Sequence, residues 1–139
     1  MGIVDIAPWI GLAASICGLA FAMYKFFWVK KQPEGTKEMA NISAKIRKGA
    51  MAYLKRQYKT VGIFFIVMLI IICVMAAFGL LTWFVPFAFV SGGFFSGLSG
   101  FIGMKIATYA NSRTANGAKN SLNKGLKVAF SSGTVMGLT

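Results

Sequence analysis

The chain has 139 residues, of which 57% are hydrophobic, and its 15 Lys and Arg against three Asp and Glu leave a formal net charge of +12. A soluble domain carries about 25% charged residues, whereas this chain carries 13%, so the composition favours a membrane protein and excludes disordered, collagen-like and disulfide-stapled chains. With no His and only three carboxylates, it has little material for acid–base or metal chemistry.

The first predicted element is a membrane-spanning helix over residues 5–28. An uncharged stretch, Ile6–Tyr24, is followed by Trp28 and the pair Lys30–Lys31, which is the order of an apolar helix that leaves a bilayer through aromatic and then basic residues. A cleaved signal peptide would carry its positive residues before the apolar stretch, and this chain has none there. We therefore predict a retained span.

A basic amphipathic helix is predicted next, over residues 36–59. Thr36 is a suitable N-cap and Glu38 lies in the first turn, where the helix dipole favours an anion. No Pro occurs from residue 36 to 85, so this helix should continue into the second span. Its basic face could be solvated, bind anionic lipid or steer substrate. The candidate membrane-surface residues are Lys45, Lys48, Lys55, Arg56 and Lys59.

Two further spans are predicted in the stretch from Thr60 to Met104, which contains no charged residue. Two crossings of about 20 residues each would fill it. We place the second span at 61–84 and the third at 87–110, joined by a hairpin at 82–88.

A fourth apolar stretch, residues 126–139, is shorter than a span. Fourteen helical residues reach about 21 Å, against about 30 Å of hydrocarbon. We therefore expect the chain to be an amino-terminal piece of a longer protein. The predicted fold class is all-α, a multi-pass transmembrane helix bundle with three complete spans and the start of a fourth.

The basic residues predict the orientation in a cell membrane. Ten of the 15 lie in residues 25–59 and the other five in residues 105–127. By the positive-inside rule, residues 30–60 and 111–125 should be cytoplasmic, and the N-terminus and the hairpin at 82–88 should lie outside. The lipid bilayer is thus the first expected partner. Nucleic acid is not expected, because the aromatic residues lie in apolar spans and are not interleaved with the basic ones.

Small residues recur every three or four positions along one face of the third span. Lipid is as apolar as Leu, so helices in a bilayer associate through close backbone approach, and such a face predicts a partner helix. A phosphate-binding glycine loop is the weaker reading, because these glycines lie inside an apolar helix. The candidate helix-packing residues are Gly92, Ser96, Gly100, Gly103, Ala107 and Ala110.

Particular strings carry a family resemblance. Residues 46–60 (IRKGAMAYLKRQYKT), 99–114 (SGFIGMKIATYANSRT) and 122–130 (LNKGLKVAF) resemble the second, third and fourth helices of membrane-integral inorganic pyrophosphatases. The resemblance extends over residues 34–139. Ser131–Ser132 departs from the basic and glycine residues usual in the family at that point.

The resemblance implies a many-helix homodimeric pump that hydrolyses pyrophosphate on the cytoplasmic side and moves H⁺ or Na⁺ outward. In that family carboxylates hold Mg²⁺, and K⁺ is a candidate further cation. Asp5, Glu34 and Glu38 are too few and too dispersed for such a site. We therefore expect no catalytic, cofactor-binding or metal-binding residue here, an inactive isolated chain, and the remaining helices of the same pump as partners. The alternative is a small multi-pass scaffold whose basic helix binds anionic lipid or a partner complex.

Overall fold

The structure is a computed structural model that describes residues 3–139, with side chains from residue 6 onward. Within those residues every regular element is an α-helix, which confirms the predicted fold class. Three helical segments are long and apolar enough to cross a membrane: Ile6–Lys31, Lys37–Ala77 and Phe84–Asn120. The four helices are α1 (Ile3–Lys31), α2 (Lys37–Ala77), α3 (Phe84–Asn120) and α4 (Leu122–Leu138).

A short connection joins α1 to α2. Gly35 has a φ of +90°, a left-handed conformation that glycine adopts without the steric cost a Cβ imposes. The hydroxyl oxygen of Thr36 accepts a hydrogen bond from the N–H of Met39 at 3.3 Å, and Glu38 lies in the first turn of α2. Thr36 is therefore the N-cap, as predicted.

Helix α2 is uninterrupted from Lys37 to Ala77. Its 41 residues correspond to about 60 Å of helix at 1.5 Å per residue. The basic amphipathic segment and the apolar segment are thus one helix, as predicted from the absence of Pro.

The end of α2 corrects the predicted second span, which was placed at residues 61–84. Gly79 has a φ of +75°, and its N–H donates to the carbonyl of Ala76 at 3.0 Å. The N–H of Leu80 donates to the carbonyl of Met75, also at 3.0 Å. This pair of bonds is the Schellman C-cap, which closes a helix around a left-handed glycine.

The connection between α2 and α3 occupies residues 78–83 and not the predicted 82–88. Helix α3 begins at Phe84, so Pro86 lies in its first turn, where its missing N–H has no helical acceptor to lose. The predicted hairpin is therefore shifted toward the N-terminus by the glycine that ends α2.

The carboxyl end of α3 also differs from the prediction, which ended the third span at residue 110 and left residues 111–125 between the third span and the fourth apolar stretch. The structure is helical there except at Ser121, whose φ of −165° and ψ of 132° are extended. No Pro interrupts this stretch. A Cβ added to Gly125 would lie 2.7 Å from the Cβ of Ala118, so glycine permits the tight turn between α3 and α4.

The chain divides into two compact units, one made of the chain up to Arg47 together with Ile102–Thr139, and the other of Lys48–Phe101. In the first unit, α1 packs against α4. Its buried apolar side chains, with Phe26 and Trp28 packed against them, are Ala22, Val29, Ile106, Ala110, Val128 and Val135.

In the second unit, the rings of Phe65 and Phe89 stack with their centroids 4.2 Å apart. The hydroxyl of Tyr58 donates a hydrogen bond to the carbonyl of Gly97 at 2.5 Å. These contacts join the apolar part of α2 to the first half of α3. In this unit the aromatic side chains of α2 contact glycines of α3, as Tyr58 does at Gly97 and Phe65 at Gly93.

Most of the apolar surface of the three long helices is uncovered. Only 6% of the residues in the most apolar window of each helix are buried, and Trp9, Phe64 and Phe94 are each about two-thirds exposed. Such faces suit lipid or further membrane helices. The length, composition and outward apolar faces of these helices are those of a multi-pass membrane protein.

Candidate functional site

The most developed polar site surrounds Arg113 on α3, whose side chain is only 7% exposed. Its Nε donates to the carbonyl of Gln32 at 2.9 Å, and its Nη1 donates to the carbonyl of Tyr109 at 2.6 Å. Its Nη2 donates to the carbonyl of Lys30 at 3.3 Å. The guanidinium therefore satisfies two carbonyls at the carboxyl end of α1, where a helix has no internal donors left.

Glu34 supplies the counter-charge. Its Oε1 lies 3.0 Å from Nη2 of Arg113 and 3.8 Å from Nη2 of Arg47. The Arg47 guanidinium lies 4.6 Å from the ring centroid of Tyr109, and that of Arg113 lies 5.7 Å from it. The Glu34 carboxylate and the Tyr109 ring thus each lie close to both guanidinium groups. We call Arg113, Glu34, Arg47 and Tyr109 the Arg113 cluster.

The connection that carries Glu34 is held by a second set of contacts. The Asn116 amide Nδ2 donates to the carbonyl of Pro33 at 3.3 Å. A Cβ added to Gly35 would lie 2.7 Å from Sδ of Met39 and 3.0 Å from Oδ1 of Asn116. Both the conformation of Gly35 and its close surroundings therefore require glycine.

Potential metal ligands are few among the described residues. Residues 6–139 contain two carboxylates, Glu34 and Glu38, and no group of three His, Cys, Asp or Glu side chains occurs among them. Mg²⁺ is bound through carboxylate and phosphate oxygens and demands near-octahedral geometry, whereas Glu34 is already engaged by two guanidinium groups. The contacts of Arg113 attach the end of α1 and the connection that follows it to α3.

The five predicted membrane-surface residues are all exposed side chains of α2. Lys45 belongs to the first compact unit, and the other four, from Lys48 to Lys59, belong to the second. Their exposure is compatible with contact with lipid headgroups. That these five side chains contact lipid stays a prediction.

Half of the predicted helix-packing residues lie in the first unit. Gly103 and Ala110 are buried, and Ala107 is half-buried. A Cβ added to Gly103 would lie 3.0 Å from Cγ of Met136 on α4. This part of α3 thus faces α4 at Met136.

The other predicted packing residues lie in the second unit and have fewer neighbours. Gly100 faces the hydroxyl of Tyr58, which a Cβ there would approach to 3.0 Å. Gly92 and Ser96 are exposed, and a Cβ on Gly92 would meet nothing within 4 Å. A Cβ on the adjacent Gly93, which the sequence pattern did not select, would overlap Cζ and Cε2 of the Phe65 ring.

Comparison with known proteins identifies the family of this chain. The sequence matches the model of the inorganic H⁺ pyrophosphatase family over residues 16–139. The chain belongs to this family. The predicted resemblance is thereby confirmed.

Three relatives show the extent of the similarity, and the chain spans only 18% of the length of each. The chain is 55% identical over 131 residues (94% of the chain) to a Bacteroides thetaiotaomicron protein whose name describes a K⁺-stimulated pyrophosphate-energized sodium pump. It is 46% identical over 126 residues (91%) to a K⁺-insensitive pyrophosphate-energized proton pump of Moorella thermoacetica. A pump named in the same way from Methanosarcina mazei is 35% identical over 125 residues (90%).

The sequence of this pyrophosphatase-family chain did not predict the Arg113 cluster: Arg113 was expected only in the cytoplasmic residues 111–125, and Glu34 was expected to form no site. Arg113 follows Tyr109 by four residues, the spacing that puts two side chains on one face of a helix. This spacing predicts their contact only if the helix includes both residues, and the predicted third span ended before Arg113, whereas α3 continues to Asn120.

Proposed function

We propose that this chain is the amino-terminal part of a membrane pyrophosphatase that couples hydrolysis of pyrophosphate to transport of H⁺ or Na⁺. The observation that carries the proposal is the 55% identity, over 94% of the chain, to a protein named as a pyrophosphate-energized sodium pump. The family match from residue 16 to 139 supports it. Relatives named for sodium and for protons are both similar to this chain, so the transported ion is left open.

Within such a pump this chain would act as a structural portion. Its two described carboxylates are not grouped with other metal ligands, so Mg²⁺, pyrophosphate and any K⁺ would bind residues beyond these helices. The uncovered apolar faces of α1, α2 and α3 would pack against the remaining helices and lipid. Because the family resemblance implies a homodimer, we also propose that the whole pump is a homodimer.

The same proposal includes an orientation. All 15 Lys and Arg lie in residues 25–59 and 105–127, so these two regions would be cytoplasmic and the connection at residues 78–83 external. Lys45, Lys48, Lys55, Arg56 and Lys59 would then lie near the inner membrane surface, where each contributes about 1 kcal/mol with anionic lipid.

A chimera tests the assignment. The segment of the Bacteroides thetaiotaomicron relative that aligns with this chain is replaced by this chain, and membrane vesicles are assayed for pyrophosphate hydrolysis and pyrophosphate-driven Na⁺ uptake. We expect both activities to be retained, because the replaced helices share 55% identity. The matched control carries an unrelated helical membrane segment of the same length and should be inactive.

A chimera that inserts at the level of the relative yet hydrolyses no pyrophosphate would contradict the proposal. That outcome, combined with retention of this chain on vesicles of anionic lipid, would favour a small multi-pass scaffold whose basic helix binds lipid.

A further inference from the structure

A cationic cavity lies in the first compact unit, where the ends of α1 and α3 meet the start of α4. Its volume is about 340 Å³, within the range of about 300–1,000 Å³ found for small-ligand sites. No carboxylate lines it. The lining residues that could contact an anion are Trp28, Arg113, Asn116, Asn120, Lys124 and Lys127.

The available positive charge of the cavity comes from Lys124 and Lys127. Arg113 is already paired with Glu34 at 3.0 Å, whereas neither lysine forms an ion pair with a carboxylate among residues 6–139. The Nζ of Lys127 lies 5.7 Å from the ring centroid of Trp28. A cation–π contact of this kind favours placement of the ammonium group beside the cavity.

The surroundings indicate the source of the anion. Trp28 lies near the carboxyl end of α1, two residues before Lys30 and Lys31, in the order of residues found where a helix leaves the hydrocarbon for the headgroups. Large apolar side chains next in sequence to two of the lining residues, Trp28 and Lys127, are exposed, Phe27 by 54% and Leu126 by 43%. A ligand with a phosphate and two acyl chains could place each part against matching surface.

We infer that this cavity binds the phosphate group of an anionic phospholipid. Lys124 and Lys127 make the charged contacts, because hydrogen bonds between ammonium and phosphate are the strong kind. The amide of Asn120 and the second N–H of Asn116, whose first N–H donates to the carbonyl of Pro33, supply further donors, and the acyl chains lie on the apolar faces of α1 and α4. The inference uses residues of this chain alone and does not depend on pyrophosphate hydrolysis.

The test measures lipid binding to the purified 139-residue chain in zwitterionic detergent by native mass spectrometry. The probes are dioctanoyl phosphatidylglycerol, dioctanoyl phosphatidylcholine and inorganic phosphate. We expect one saturable phosphatidylglycerol per chain, bound more tightly than either other probe. The double variant Lys124→Gln/Lys127→Gln should weaken this binding by about 25-fold, or about fivefold for each cation removed.

The matched control is Lys31→Gln/Lys37→Gln, which removes the same charge from two exposed lysines outside the cavity lining. It should change the affinity by less than about threefold. Lys124→Arg/Lys127→Arg should retain binding, and circular dichroism should show equal helicity in all variants.

Three results would overturn the inference. Equal weakening by the control variant would show that net charge alone attracts the lipid. Equal affinity for phosphatidylcholine would show that the anionic headgroup is not recognised. Displacement of phosphatidylglycerol by inorganic phosphate at comparable concentration would assign the cavity to soluble phosphate.

Discussion

Removal of the Arg113 guanidinium should detach the end of α1 from α3. The variant Arg113→Ala leaves the carbonyls of Lys30 and Gln32 without their side-chain donor. It also leaves Glu34 with Arg47 alone, at 3.8 Å. Because Arg113 is 7% exposed, water cannot fully replace the lost donors without opening the packing around it.

The size of the effect follows from these contacts. Hydrogen bonds from a charged donor contribute about 1.5–3 kcal/mol each, and breaking a buried ion pair costs about 3–5 kcal/mol. Glu34 is 31% exposed and keeps a second cation, so its charge remains partly compensated. We therefore expect Arg113→Ala to lower the free energy of unfolding by about 2–4 kcal/mol.

The matched control is Arg47→Gln. Its ion pair to Glu34 is longer, at 3.8 Å, and its side chain is 25% exposed, so the loss should be about 0–1 kcal/mol. Arg113→Lys should fall between the two, because an ammonium keeps the charge but loses the planar fork. The free energies come from reversible unfolding in mixed detergent–dodecyl sulfate micelles followed by circular dichroism. Losses that agree within about 0.5 kcal/mol for Arg113→Ala and Arg47→Gln would refute the reasoning.

Two further predictions concern packing and orientation. Gly93→Ala should lower the free energy of unfolding by about 1–3 kcal/mol in the same unfolding measurement, because its Cβ would overlap the ring of Phe65. The neighbouring Gly92→Ala, with open space, should be neutral or stabilising by up to about 1 kcal/mol; equal losses would contradict the packing assignment. For orientation, in a chain without its native cysteines, Thr82→Cys should react with an impermeant maleimide in intact cells, whereas Lys37→Cys should react only after lysis. The reverse labelling pattern would invert the proposed topology.

Several features could be predicted from local sequence because local physics decides them. Charge-free stretches of sufficient length predict membrane helices in any tertiary context, since an unpaired charge in hydrocarbon is costly. Thr36 caps α2 through a bond that spans three residues. The strings at 46–60 and 99–114 predict the family from the sequence alone.

The end of α2 depends on a local backbone conformation that apolar composition does not specify. Helix α2 ends at Ala77, seven residues before the predicted end of the second span at residue 84. The prediction extended the span because the apolar composition continues past Gly79, where the backbone turns. Composition predicts the medium around a segment, whereas a left-handed glycine determines where the helix stops.

The Arg113 cluster and Gly93 show most clearly what only the tertiary structure decided. Periodicity identifies a face of α3 rich in small residues, yet the position of Phe65 on α2 determines which glycine on α3 is in contact. Arg113 lies 81 residues from Gln32 in the chain, and no local pattern specifies that a loop carbonyl will meet a guanidinium across that separation. The sequence alone thus determined the membrane environment, the helices and the family. The close approach of the helices determined which side chains contact one another, because burial and hydrogen bonding depend on separations in space.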